Sequence, residues 1–331
     1  MISFRDLGIA DQRALLQEAS RGGYAVPAFN FVFMEQLLSI VDACIERRSP
    51  FILQSSSNTC KNLGIAYIRA LAAASAERIK QETGSAMMAL NLDHGLNYEE
   101  CVQCVDNGFS AVMIDGSMLP FEENAALTKR VVDYAHRYGV AVEGELGAIP
   151  GTEAEEEHGN VGVSSCYTDP ALAQSFVEET KIDCLAVSIG TSHGLVKIRP
   201  DKNGNLPDLR FDILAEIERR LPGFPVVLHG SSCIYPEYVR MINANGGSLE
   251  CVQGIPEESV RRASRTNVCK INVASDGWIA AFAATRKALA ENTAAIDPRI
   301  FLRPARKAMK DLYIRKIDTI MGSAGKGEQS G

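Results

Sequence analysis

Eight short apolar runs, each closed by turn residues and followed by a helical pattern, constrain this chain more than any other feature. They fall at 24–30 (YAVPAFN), 50–55 (PFILQS), 86–92 (AMMALNL), 111–116 (AVMIDG), 140–145 (VAVEGE), 184–189 (CLAVSI), 225–229 (PVVLH) and 268–273 (VCKINV). Most are almost continuously apolar, as expected of parallel strands covered on both faces. Amphipathic stretches lie between them, among them 34–48, 121–138 and 169–180, where Asp169 reads as an N-cap and Pro170 as the first helical residue. Repeated strand–helix units over about 250 to 300 residues fit a (β/α)8 TIM barrel, an α/β fold. A doubly wound sheet would need a Gly-rich phosphate loop after its first strand, and 27–34 (PAFNFVFM) has none. No linker divides the chain, so 1–331 reads as a single domain with 292–331 as a C-terminal helical extension. The longest patternless stretch, 147–168, reads either as an active-site lid or as a solvated loop. The tail 322–331 reads as flexible.

Composition narrows the partners. Lys and Arg number 34 against 41 Asp and Glu, a net charge of −7, so the basic face that duplex DNA or anionic lipid requires is missing from the balance. Hence we expect no nucleic-acid and no membrane partner. The opening MISFRDLGIADQR has early charges and no apolar core of a secretory signal. No run approaches the roughly 18 to 20 apolar residues of a membrane span. Nine cysteines spread over 331 residues suggest reduced thiols in a cytoplasmic protein.

The polar residues at the strand ends carry the chemistry. Strand three runs into Asp93-His94-Gly95, strand six into Gly190-Thr191-Ser192-His193-Gly194, and strand seven into His229-Gly230-Ser231-Ser232. The chain has five histidines; His136 and His158 sit in charged stretches and look ordinary. One histidine at a strand end is usually a packed core residue. Three at one rim, each followed by glycine, form a catalytic zinc arrangement with a position left for substrate. Asp93 adds a carboxylate suited to proton transfer. Asp115 and Glu145 also end strands; they either hold the ligands from behind, offer an alternative metal position, or cap helices. Asn272, Ser275 and Asp276 after strand eight join Gly194, Gly230 and Ser232 as amide and hydroxyl donors, which lets an acidic protein bind phosphate locally.

These residues resemble a known family. AFN at 28–30, LDHG at 92–95, MIDGS at 113–117, EGELG at 143–147, YTDP at 167–170, IGTSHG at 189–194, LHGSS at 228–232, KIN at 270–272 and DPR at 297–299 are similar, in order and over nearly the whole chain, to the class II (zinc-dependent) fructose-bisphosphate aldolases. The ending DPRIFLRPARKAM resembles the Calvin-cycle-type branch. The resemblance implies one Zn2+ or other divalent ion per subunit on His94, His193 and His229. It implies Asp93 as the acid–base residue at the C4 hydroxyl and Glu153 as the residue exchanging a proton with the dihydroxyacetone phosphate carbon. It further implies Gly194, Gly230 and Ser232 around the ketone-side phosphate with a monovalent cation (Na+ or K+) nearby, Asn272 at the enediolate, and Ser56, Ser275 and Asp276 along the substrate. Arg299 would reach the far phosphate from a neighbouring subunit, hence a homodimer or homotetramer. The implied reaction is reversible cleavage of a ketose bisphosphate, fructose 1,6-bisphosphate first, to dihydroxyacetone phosphate and an aldehyde such as glyceraldehyde 3-phosphate.

Departures from the family pattern fall in the substrate pocket. Ala274 and Ser275 replace the middle pair of an Asn-(Ile/Val)-Asp-Thr-Asp run, and an alanine there resembles tagatose-bisphosphate aldolases. Phe31-Val32-Phe33 stands where relatives carry polar residues, and Ser57-Asn58-Thr59-Cys60 replaces a small Gly-containing run. Tagatose 1,6-bisphosphate or a ketose without a distal phosphate thus stays open as substrate. Cys101 and Cys104 have redox spacing but fall on an expected helix, where burial explains them better. Glu155-Glu156-Glu157 reads as solvated loop, and Arg261, Arg262 and Arg265 as a charged helix face. Lys270 could form a Schiff base, yet that route leaves three rim histidines idle. A zinc hydrolase would be expected to carry His-x-His on the first strand, which has none, and a non-catalytic sugar-phosphate binder would have lost a key group.

Overall fold

In a computed structural model, residues 1–149, 167–198 and 205–328 are described. Eight parallel strands close a barrel in chain order: β1 (Val26–Asn30), β2 (Phe51–Ser56), β3 (Met88–Gly95), β4 (Ala111–Ile114), β5 (Ala141–Leu146), β6 (Cys184–Val187), β7 (Val226–Leu228) and β8 (Val268–Val273). Closure is seen at Ala28, which pairs with Ile52 of β2 on one side and Asn272 of β8 on the other. The expected (β/α)8 barrel is therefore the observed one, with strand ends shifted by at most three residues. The largest shift is in β3, which continues past Leu92 because its register slips between Leu92 and Gly95. Such a slip bends a strand and re-aims its side chains.

Side-chain parity sorts the barrel into two cores. Outward residues such as Phe29, Leu53, Leu90, Val142 and Ile271 pack in one layer with the surrounding helices. Inward residues Ala28, Ile52, Ala89, Ala186 and Val227 cluster with Leu15, Leu16 and Ala19 of α1 (Gln12–Gly22), which plugs the N-terminal end. Above this small apolar plug the interior turns polar: Gln54, Asn91, Glu143 and Lys270 are all buried. Period-two alternation thus places apolar outward faces and polar inward faces on the same strands.

The helices are α2 (Met34–Arg47), α3 (Ser57–Leu63), α4 (Ile65–Thr83), α5 (Tyr98–Asp106), α6 (Phe121–Ala135), α7 (Pro170–Thr180), α8 (Phe211–Arg220), α9 (Pro236–Ala244), α10 (Glu257–Ala263), α11 (Ser275–Glu291) and α12 (Arg299–Lys316). Asp169 caps α7 as expected, accepting from the backbone N–H of Ala171 at 2.7 Å and of Leu172 at 3.2 Å, with Pro170 first in the helix. Cys101 and Cys104 are buried on α5. The C-terminal helix α12 is built into the wall of the barrel. Tyr313 packs at a tilt against Phe29, 4.6 Å between ring centroids, and accepts a 3.1 Å hydrogen bond from Gln36. The tail expected to be flexible is tied down as far as Gly327: the backbone N–H groups of Gly325 and Gly327 donate to the carbonyls of Arg47 and Arg48, both at 2.8 Å.

Candidate active site

The C-terminal ends of the strands gather one cavity of about 190 Å³, bordered by Ser56, Asp93, His94, His193, Gly194, Gly230, Ser232, Asn272 and Ser275. These are nine of the residues singled out above, drawn from five strand ends. A separate groove between α3 and α5, of about 370 Å³, holds none of the histidines.

His94, His193 and His229 offer nitrogens that all lie within 4.8 Å of one another. The strand slip in β3 delivers His94, whose backbone sits in the left-handed region at φ 49°, a conformation a non-glycine residue adopts at a cost of about 1–3 kcal/mol. Two of the three imidazoles, His94 and His229, are held by their rear nitrogens. Asp115 Oδ2 lies 2.7 Å from Nδ1 of His94, and Ser117 fixes the other carboxylate oxygen through its hydroxyl at 2.6 Å. Glu143 Oε1 lies 2.9 Å from Nε2 of His229, while Lys270 donates to Glu143 Oε2 at 2.6 Å. The carboxylates fix the tautomers, so the lone pairs of His94 Nε2 and His229 Nδ1 face forward. Those two atoms and His193 Nε2 are buried and hydrogen-bonded to nothing.

Three orphaned imidazole nitrogens aimed at one point suit a divalent cation. The electrostatics agree. Asp93, Asp115, Glu143 and Glu145 are all buried near the cluster, and Lys270 is a counter-charge for Glu143 alone. Burial opposes charge on His94, yet Asp93 and the Asp115 hydrogen bond outweigh it and raise its pKa to about 10. Burial, joined by the neighbouring histidines and Lys197, holds His193 well below its usual range. Burial and the nearby Asp115 raise Glu145, whose Oε2 lies 3.1 Å from His229 Nδ1 without hydrogen-bond alignment. The surplus negative charge is what a bound cation would neutralise.

Asp93 is fixed by amides. It accepts from Asn30 Nδ2 at 2.7 Å and from Asn272 Nδ2 at 3.0 Å. Gln54 donates to Asn30 at 3.1 Å and Asn91 to Gln54 at 2.9 Å, which completes a buried chain across β1, β2 and β3. Two N–H donors, one on each oxygen, fix the direction of the carboxylate. Gly230 lets the backbone close in: at φ 62° a Cβ there would meet the Ser192 carbonyl oxygen at 2.7 Å.

The model of class-II fructose-bisphosphate aldolases matches residues 10–326. The chain belongs to this class II aldolase family. A fructose-bisphosphate aldolase of Treponema pallidum is 46% identical, covering 98% of this chain and all of the relative. Fructose-bisphosphate aldolases of Giardia intestinalis and a Nostoc strain are 40% and 36% identical, covering 95% and 96% of this chain and 93% and 91% of their own. The crystal structure of the YdjI aldolase of Escherichia coli superposes at TM-score 0.71 with 28% identity, covering 96% of this chain and 99% of that one. The family makes this chain an enzyme, a carbon–carbon lyase.

One expected substrate residue stands elsewhere in this class II aldolase. Asp276 is 1% exposed; its carboxylate accepts from the backbone N–H of Cys233 at 3.0 Å and Ile234 at 2.7 Å and pairs with Lys316 of α12 at 2.6 Å. The first turn of α11 directs it backward, so it braces the loop after β7 and does not border the cavity. Arg299 pairs with Asp297 at 2.7 Å on the exposed start of α12, away from this chain's own cavity. Glu153 and the run 155–157 lie outside the described residues. Asn30, Glu143 and Lys197 went unassigned in the sequence reading. Polar residues at inward positions of otherwise apolar strands are the signal that exposes the first two. Lys197 is 4% exposed and borders the cavity; burial presses its pKa down to about 8 against the pull of Asp276.

Proposed function

We propose that this enzyme cleaves a ketose phosphate, fructose 1,6-bisphosphate first, reversibly to dihydroxyacetone phosphate and an aldehyde. The observation that carries this reading is the set of three unpaired imidazole nitrogens converging beside Asp93. His94, His193 and His229 would hold one Zn2+ or another divalent ion, which when bound supplies Lewis-acid stabilisation of the negative charge growing on the ketone half. Asp93 takes the proton of the C4 hydroxyl as the C3–C4 bond breaks, and Asn30 and Asn272 keep its oxygens aimed. Asn272 reaches Asp93 and the enediolate half from one position. Lys197, the Gly194 and Gly230 amides and Ser232 bind the ketone-side phosphate, with a monovalent cation at the backbone carbonyls nearby. Glu153 delivers the second proton transfer, at carbon. Ser56 and Ser275 line the remainder of the substrate.

Arg299 would serve a neighbouring chain, so the working form is a homodimer or homotetramer. Eight cysteines are free among the described residues and no described helix is long and apolar enough to cross a membrane; both accord with a cytoplasmic enzyme of central carbohydrate metabolism, in glycolysis or the Calvin cycle. Ala274 at the cavity wall supports tagatose 1,6-bisphosphate as the second substrate to assay. The test is triose phosphate release from both bisphosphates, with and without chelator. Cleavage that chelator abolishes and divalent metal restores is expected. Chelator-resistant cleavage would overturn the metal route, and no cleavage of any ketose phosphate would overturn the reading itself.

A further inference from the structure

Two cysteines far apart in sequence meet where α3 and α5 run side by side. The helices follow neighbouring strands of the site, α3 after β2 and α5 after β3. Their contacts come in layers. In the first, the Ser57 hydroxyl lies 2.9 Å from the His94 carbonyl oxygen and 2.7 Å from Glu100 Oε2. Glu100 also accepts from the backbone N–H of Leu96 at 3.1 Å. One turn further along each helix stand Cys60 and Cys104, on the same faces as Ser57 and Glu100. Their thiols are hydrogen-bonded to each other. Cys101, whose spacing from Cys104 suggests a redox pair, is turned elsewhere: its thiol donates to the Met113 carbonyl at 3.7 Å.

The two thiols also share an opening. Both line the groove of about 370 Å³ between the helices. Cys60 is half-buried and Cys104 buried, so a small oxidant entering the groove reaches Cys60 first and finds Cys104 behind it as a resolving thiol. Cys60 belongs to the Ser57-Asn58-Thr59-Cys60 run that departs from the family pattern, and the aldolase chemistry uses neither thiol. The same helix nonetheless touches the site. Its N-cap Ser56 and its Thr59 border the cavity, and Ser57 sits beneath the His94 backbone. A covalent bond in place of the thiol hydrogen bond draws this turn of α3 against α5, and catalytic rates fall steeply when aimed groups are displaced.

We infer that Cys60 and Cys104 form a reversible disulfide that slows the enzyme under oxidising conditions. The bond stands apart from the aldolase reading; the slowing rests on it. With hydrogen peroxide as oxidant, the Cys60 sulfur attacks one oxygen, the O–O bond breaks, and the other oxygen leaves as water with the Cys60 proton. The Cys104 sulfur then attacks the sulfenic sulfur, and the hydroxyl leaves as a second water with the Cys104 proton. Two thiols give up two electrons and one peroxide becomes two waters; a dithiol reverses the change by exchange. The experiment treats the metal-loaded enzyme with stoichiometric hydrogen peroxide, maps it by mass spectrometry without reductant, and follows bisphosphate cleavage on the same sample. A Cys60–Cys104 linked peptide, lighter by two hydrogens, is expected together with a fall in kcat/KM of about tenfold or more. Dithiothreitol should reverse both. Cys60→Ser and, independently, Cys104→Ala should match the reduced wild type in cleavage and keep that rate after peroxide. A Cys101–Cys104 link, or Cys60 carried on to sulfinic acid with no linked peptide, overturns the pair. A linked peptide with undiminished kcat/KM, or inactivation that persists in both variants, overturns the slowing. A reduced chain that cleaves no ketose phosphate overturns the aldolase reading and the slowing with it, whereas the linked peptide is scored independently.

Discussion

The ammonium of Lys270 stands 2.6 Å from the Glu143 carboxylate, and neither side chain reaches solvent. Glu143 in turn holds His229, so a lysine on β8 fixes the direction of an imidazole on the next strand through a carboxylate on β5. Lys270→Met leaves a buried carboxylate without its cation and should cost ~3–5 kcal/mol in urea unfolding. Bound metal per chain should fall with it, because Glu143 then no longer orients His229. Adding Glu143→Gln in the same chain removes the orphaned charge and should recover part of the stability but not the metal. Borohydride added during turnover should trap nothing on Lys270. A trapped adduct would reinstate the Schiff-base route.

The pair of Asp276 and Lys316 joins the loop after β7 to the last helix. Removing it with Lys316→Met should also cost ~3–5 kcal/mol, with KM unchanged in the enzyme that remains folded. Burial opposes the charge of Lys316, but Asp276 prevails and raises its pKa above the ordinary 10.5. A raised folded pKa stabilises fully below the unfolded value and is lost only as pH climbs through the folded one. The stability gap between wild type and Lys316→Met should therefore be flat from neutral pH to about 10 and narrow only beyond it. A KM that rises in this variant would return Asp276 to the substrate.

Much of this was legible in the sequence, and the reason is parity. A (β/α)8 barrel points every second strand residue inward, so His229 and Asn272 at the ends of apolar runs had one place to go, whereas His94, out of step with Asp93, reaches the site through the slip in β3. Asp115 and Glu145, expected behind the histidines, at an alternative metal position or as helix caps, lie against His94 and His229. Asp276 was misplaced because it sits one residue beyond the strand–helix junction, where helical geometry replaces alternation and turns the carboxylate toward Lys316. The pairing of Glu143 with Lys270 spans 127 residues. No local spacing encodes such a contact; only closure of the barrel creates it.

Lys197 gives the enzyme an alkaline limb. Burial holds its pKa near 8, so the free enzyme loses the ammonium as pH rises through that value. A bound phosphate restores the proton, which confines the effect to kcat/KM and leaves kcat level. We expect kcat/KM to fall above about pH 8 and Lys197→Met to lower it ~10–100-fold at neutral pH while erasing the limb. A limb that persists in Lys197→Met would belong to another group.

Asp93 and Asn30 separate chemistry from metal binding. Their 2.7 Å hydrogen bond aims a carboxylate that borders the cavity beside the three imidazoles and is not among the groups proposed to hold the ion. Asp93→Ala removes the proton acceptor, and turnover should drop ~10²–10⁴-fold. Metal content, read by elemental analysis of the purified chain, should stay at the wild-type level. Asn30→Ala keeps the carboxylate and loosens it, which should lower kcat about tenfold through misalignment, again with full metal occupancy. The two variants together isolate aim from acidity, because only the first lacks a group to titrate. Loss of metal in Asp93→Ala would show that its carboxylate belongs to the ion and not to the C4 hydroxyl.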